Sequence, residues 1–125
     1  MQMNKTILVF EDDPQVRKLL CSFLRRLGYE ARTASDAAPV LGFVRTAAPD
    51  LVLLDVDLPD GSGFDLCRAI KSSPDLASLP IVFCTGRDTP EDREIAAQVG
   101  GADYLVKPFD MGELADCLRR HLAKP

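Results

Sequence analysis

Apolar residues fall along this chain in two arrangements that take turns: short unbroken runs, and longer stretches in which they return every third or fourth position. Leu51–Leu54 is the plainest run. Four such residues in succession suit a strand covered on both faces, as in a parallel sheet. Thr6–Phe10 and Ile81–Gly86 read the same way, while Tyr29–Ala34, which alternates weakly, and Asp103–Pro108 complete five expected strands. The stretches between them read as helices. The first has Asp13 as its cap and Pro14 at its first position, carries Val16, Leu19, Leu20, Phe23, Leu24 and Leu27 on one face, and stops at Gly28. The second carries Val40, Leu41 and Val44 after a cap at Asp36, with Pro39 and Gly42 weakening it. The third, Phe64–Ser72, turns Leu66, Cys67 and Ile70 inward and ends at Ser73–Pro74. The fourth opens on Thr89-Pro90-Glu91-Asp92 and runs through Ile95 and Val99 to Gly100–Gly101, and the fifth, capped by Asp110, aligns Met111, Leu114, Leu118 and Leu122.

Strand and helix thus alternate five times. Right-handed crossovers place helices on both faces of a parallel sheet, so the expectation is an α/β, three-layer, doubly wound (βα)5 domain with strand order 2-1-3-4-5. At 125 residues, 46% apolar and 27% charged, the chain suits one domain over residues 1–125 with a core of its own. The start, Met1 to Thr6, lacks the apolar centre of a signal peptide, and no apolar run reaches membrane-spanning length, so a cytoplasmic protein without membrane contact is expected. A net charge of -4 and a pI near 4.9 argue against direct nucleic-acid binding. Cys21, Cys67, Cys84 and Cys117 fit neither a zinc spacing nor a C-x-x-C pair and read as small core residues with free thiols.

Chemistry collects at the strand ends. A strand buried on both faces does not close on a carboxylate unless that carboxylate reaches an edge open to water or an ion, so Asp55, directly after Leu54, is a placed residue. The turn that follows belongs to Pro59-Asp60-Gly61. In a parallel sheet Glu11 and Asp12, Asp55, Thr85 and Lys107 all finish strands on the carboxyl edge, where ligands bind in such folds. Three carboxylates that close raise one another's pKa unless a cation sits among them, and hard oxygen ligands with open water positions point to Mg²⁺. Taken singly each residue has a plainer role: helix N-terminal acids, a turn starter, a β-branched strand residue, an edge lysine. Gly61 and Gly63 lack the spacing of a phosphate loop. Asp57 and Arg87, two residues past Asp55 and Thr85, are expected to pair across the mouth of the crevice and to tune what happens there.

With that constellation, and with Lys107-Pro108-Phe109 after the fifth strand, the chain resembles the receiver domain of two-component response regulators over nearly its whole length, a flavodoxin-like fold. The resemblance implies a phosphorelay role: phosphorylation of Asp55 by a sensor histidine kinase or histidine phosphotransfer protein, and Mg²⁺ held by Glu11, Asp12, Asp55 and the backbone carbonyl of Asp57. It implies phosphoryl contacts from Thr85 and Lys107, a rotamer switch at Tyr104, and a cis bond before Pro108. Helix four, strand five and helix five would then signal to an output protein or domain, or form a homodimer. Such a protein is a phosphoacceptor that promotes its own phosphorylation and slow dephosphorylation, not a turnover enzyme. The sequence departs from the family in having Glu at position 11 and an acid at position 57. The rival reading is a haloacid-dehalogenase-like phosphatase, suggested by Asp55-Val56-Asp57; against it, the acidic pair comes first and there is no room for a cap domain. No output domain is apparent before Lys124-Pro125, which fits a stand-alone regulator or a receiver cut from a longer protein.

Overall fold

A computed structural model describes residues 4–34, 40–59 and 61–122. The main sheet has five parallel strands, β1 (Thr6–Phe10), β2 (Glu30–Ala34), β3 (Leu51–Leu54), β4 (Ile81–Thr85) and β5 (Asp103–Val106), in the order β2-β1-β3-β4-β5. The helices between and after them are α1 (Pro14–Arg26), α2 (Val40–Ala47), α3 (Gly63–Lys71), α4 (Pro90–Gln98) and α5 (Met111–Leu122). This is the doubly wound α/β fold expected from the alternation, with β3 at the centre and buried at every position. Among the described residues no helix is long and apolar enough to cross a membrane.

The two-residue period of the strands divides the core. Leu8, Phe10, Val52, Leu54, Ile81 and Phe83 face Val44 of α2, Leu66, Cys67 and Ile70 of α3, and Ala96 of α4. Ile7, Val9, Leu51, Leu53, Val82, Cys84 and Leu105 face Leu20 and Leu24 of α1 and Leu114, Cys117 and Leu118 of α5. All four cysteines are buried free thiols.

Capping follows the sequence closely. Asp13 accepts from the Gln15 and Val16 N–H groups, Thr89 from Asp92, and Asp110 and Glu113 satisfy each other's backbone N–H in a capping box. Gly28, at φ +96°, takes the left-handed position that ends α1. The proposed caps and turns at Asp36, Pro39 and Asp60 lie outside the described residues.

Three expectations need correction. Leu19 is 54% exposed, and Cys21 is buried in its stead. Leu19 sits on the rim of the apolar stripe, where Val16, Leu20, Phe23 and the Lys107–Phe109 segment form a shallow apolar cavity and leave its outer side uncovered. Strand β5 stops at Val106, short of Pro108, because a proline has no N–H with which to extend the ladder. The stretch after Asp55 is more than a turn: Asp57–Leu58 pairs antiparallel with Gly61–Ser62 in a small hairpin that leads into α3.

Candidate functional site

Three backbone hydrogen bonds, each one residue beyond a strand, carry the order of the sheet into the site. Glu11 N–H donates to Ala34 O (3.2 Å), Asp55 N–H to Phe10 O (3.1 Å) and Lys107 N–H to Thr85 O (2.8 Å). These residues therefore leave their strands in register, and their side chains meet over the carboxyl edge. Lys107 Nζ lies 2.5 Å from Glu11 Oε1 and 3.1 Å from Asp55 Oδ2. The other oxygen of each acid accepts from the backbone two residues on, Glu11 Oε2 from Asp13 N–H and Asp55 Oδ1 from Asp57 N–H, both at 3.1 Å. Each carboxylate is thus aimed by its own chain as well as by the lysine. Arg17 of α1 fixes the loop between, donating through Nη1 to Glu11 O at 2.9 Å.

Glu11 and Asp55 are buried, at 2% and 7% exposure, whereas Asp12 stands in solvent. One oxygen from each of Glu11, Asp12 and Asp55 falls within 4.8 Å of the other two. Burial pushes the pKa of Glu11 up, and the bonds from Lys107 and the Asp13 N–H only partly offset this. Burial also works against the Lys107 ammonium, but Glu11 and Asp55 outweigh it and hold its pKa above the ordinary lysine value. The pocket thus contains one fixed cation facing three acids, one of which resists ionisation because it is buried. A hard divalent ion fits that donor set: all oxygen, all carboxylate, and open to water on the Asp12 side.

At the rim the structure joins four more of the residues named from sequence. Thr85 is buried, and its Oγ1 accepts from the Arg87 N–H at 3.2 Å. The Arg87 carbonyl accepts from the Tyr104 hydroxyl at 2.9 Å. Its guanidinium grips Asp57, Nη2 at 2.7 Å and Nε at 3.2 Å from both oxygens. Arg87 therefore touches Thr85, Tyr104 and Asp57 at once. The Tyr104 ring lies against Phe83 at 6.3 Å between centroids, and Arg93 of α4 covers it at 4.9 Å. The Lys107–Pro108 peptide is cis.

Sequence reasoning weighed Gly63 only as part of a phosphate loop and missed its packing role. A Cβ at that position would lie 2.1 Å from the backbone oxygen of Asp55 and 2.9 Å from Val56 Cα. Gly63 N–H also donates to Val56 O at 2.7 Å, so the start of α3 is pressed directly against the backbone that carries Asp55. A glycine immediately after the Ser62 cap of a helix was the available signal, since that position gains nothing from glycine unless space demands it.

The comparison with known proteins agrees with this geometry. Residues 7–119 match the family model described as response regulator receiver domain, and the chain belongs to that family. It is 40% identical over 111 residues to the transcriptional regulatory protein GltR of Pseudomonas aeruginosa, covering 89% of this chain and 46% of that protein. It is 40% identical over 121 residues to the DNA-binding transcriptional regulator NtrC of Rhizobium meliloti, covering 96% of this chain and 24% of that one. The chain thus spans half or less of the length of these two relatives. Among solved structures it is similar to the Vibrio cholerae chemotaxis protein CheY4, with TM-score 0.89 and 29% identity over 96% of this chain and 100% of that one. It is also similar to the receiver domain of a Pseudomonas aeruginosa sensor histidine kinase, with TM-score 0.84 and 32% identity over 98% and 100%. That structure holds a magnesium ion coordinated in its active site cleft. The chain is accordingly a signalling domain of two-component systems, and the phosphatase alternative finds no support.

Proposed function

We propose that Asp55 is the phosphoacceptor of this receiver, taking a phosphoryl group from a phosphohistidine on a sensor histidine kinase or histidine phosphotransfer protein. The observation that carries the reading is the contact of Lys107 Nζ with both Glu11 and Asp55, inside a cluster of three carboxylates at the carboxyl end of β3. An Asp55 oxygen attacks phosphorus in line, the P–N bond breaks, and the imidazole departs. Lys107, already 3.1 Å from Asp55, stays within reach of the new phosphoryl oxygens. The Thr85 hydroxyl uses a lone pair for the Arg87 N–H, so its own proton is free to be donated to one of them. Glu11, Asp12, Asp55 and the Asp57 carbonyl would hold Mg²⁺, which when bound neutralises the acids and the equatorial oxygens of the phosphoryl group.

Output follows from Arg87. Drawing Thr85 toward the phosphoryl group changes the acceptor seen by the Arg87 N–H, and the same residue's carbonyl holds the Tyr104 hydroxyl. The face of α4, β5 and α5 is therefore the surface that phosphorylation biases, toward a partner, an output segment or a second copy. The relatives are named as transcriptional regulators about twice this length or longer, which supports an output carried outside the receiver fold. The acidic balance supports a domain with no direct nucleic-acid contact.

Acetyl phosphate with Mg²⁺ tests the assignment. Acid-labile labelling of the wild type at one site per chain, abolished in Asp55→Asn, is expected; labelling that survives in Asp55→Asn overturns it.

A further inference from the structure

A second cluster of ligand-type side chains lies at the opposite edge of the sheet from Asp55. Strand β5 begins at Asp103, and α5 passes over it with Cys117 and His121 four residues apart, hence on one helical face. Asp103 Oδ1 accepts from the Tyr104 N–H at 2.9 Å, which turns Oδ2 toward the helix. Cys117 Sγ lies 3.6 Å and His121 Nε2 3.1 Å from that oxygen, and one ligand atom from each of the three falls within 4.8 Å of the others. Metal–ligand bonds of about 2.0–2.3 Å at a tetrahedral zinc place neighbouring ligand atoms roughly 3.3–3.8 Å apart; the Cys117 contact falls within that range and the His121 contact just short of it.

We propose that Asp103, Cys117 and His121 form a binding site for a borderline transition-metal ion, Zn²⁺ or its equivalent, with the fourth position open to water. Three polar groups converge on Oδ2, since Arg120 Nη2 also lies 2.6 Å away. Arg120 is no obstacle, because its side chain is 57% exposed and free to swing out. A site holding a thiolate, a carboxylate and a doubly charged ion is also neutral overall. Cys117 is fully buried, while the Asp103 and His121 side chains are 25% and 22% exposed, so the ion enters from that side and the thiol proton leaves to solvent. The ligand types separate this site from the carboxylate cluster around Asp55: sulfur and imidazole select against Mg²⁺, and carboxylates alone do not select for zinc.

Cobalt(II) reads the site optically. Added to the reduced protein in excess Mg²⁺, one equivalent of Co²⁺ should produce a thiolate-to-metal charge-transfer band with the intense visible bands of four-coordination, and Zn²⁺ should abolish them. Cys117→Ala and the partly exposed His121→Gln should each weaken binding by more than the roughly 10- to 100-fold that loss of an outer partner costs, while Cys21→Ala keeps the spectrum. Zinc should also raise the melting temperature of the wild type but not of His121→Gln. No charge-transfer band in the wild type, or a band that persists in Cys117→Ala or His121→Gln, overturns the proposal.

Discussion

Replacing Gly63 by alanine tests whether the start of α3 sets the position of Asp55. The added methyl meets the Asp55 carbonyl oxygen at 2.1 Å and the Asp55 carbonyl carbon at 2.9 Å, where real Cβ contacts do not fall below 3.0 Å. Both neighbours are backbone, so no side chain can rotate out of the way, and the loop and the helix must separate by about 1 Å in a region packed like an organic crystal. Overpacking of this kind costs about 1–3 kcal/mol, and the rigid surroundings place Gly63→Ala toward the upper end. The functional effect should be larger than the stability effect. A displacement near 1 Å of a reacting group costs roughly 100-fold in rate, and Asp55, the proposed phosphoacceptor, is the group displaced, with its bonds to Lys107 and to the Asp57 N–H drawn along. The assay pairs urea denaturation with the rate of labelling by acetyl phosphate at saturating Mg²⁺, under conditions where both proteins are folded. A Gly63→Ala variant that labels at the wild-type rate would refute the claim that this contact positions the acceptor, whatever its stability.

Two further expectations follow from single contacts. The Arg87–Asp57 pair is half exposed and contributes little to folding; its proposed role is to obstruct the approach of a hydrolytic water. Arg87→Ala and Asp57→Ala should each shorten the life of the phosphorylated form, with the double variant no faster than the faster single one, and phosphate-release rates that multiply would show the two acting separately. Ala48, just past α2, holds φ 47° to place its N–H on Val44 O; Ala48→Gly relieves about 1–2 kcal/mol of strain against about 0.4–1 of added unfolded-state entropy. A small gain in urea midpoint is expected, and a loss would contradict it.

Much of this fold was legible because local and global preferences agree. Leu51–Leu54 could only be a strand covered on both faces, Asp13-Pro14 and Thr89-Pro90 could only open helices, and a five-fold alternation leaves few ways to arrange a parallel sheet. The candidate site was legible for the same reason: once the strands are parallel, residues that end them share an edge. What stayed hidden depends on distances between elements. Nothing in the spacing of α1 says that Leu19, rather than Cys21, is left uncovered, because that is decided by how far the Lys107–Phe109 segment reaches. The hairpin formed by Asp57–Leu58 and Gly61–Ser62 is too short to carry a period, and the pressure of Gly63 on Asp55 is visible only once α3 has been docked. Asp103 and Cys117 read as a strand start and a core thiol, and His121 carried no reading of its own; the packing of α5 on β5 makes the three neighbours.

The contacts of Arg87 also set a scale for the proposed switch. The hydrogen bonds that the resting state must alter are few: the Arg87 N–H on Thr85, and the Tyr104 hydroxyl on the Arg87 carbonyl. At about 1 kcal/mol net for each neutral bond, the resting arrangement is held by no more than roughly 2 kcal/mol from these two. Inverting a 1:99 population takes about 5.5 kcal/mol of differential binding. A phosphoryl group on Asp55 offers charged oxygens to Thr85 and Lys107, and bonds to charged groups contribute about 1.5–3 kcal/mol each. Lys107, however, is already paired with Glu11 and Asp55, so only its change of partner counts, and the gain from Thr85 must overcome the bonds it disturbs. The balance is about 1 kcal/mol at most from Thr85, enough to bias the α4–β5–α5 face but not to lock it. A partner that binds only the shifted face then supplies the remainder, which makes phosphate and partner mutually reinforcing: the partner should raise the equilibrium constant for phosphorylation by the same factor by which phosphate raises its affinity.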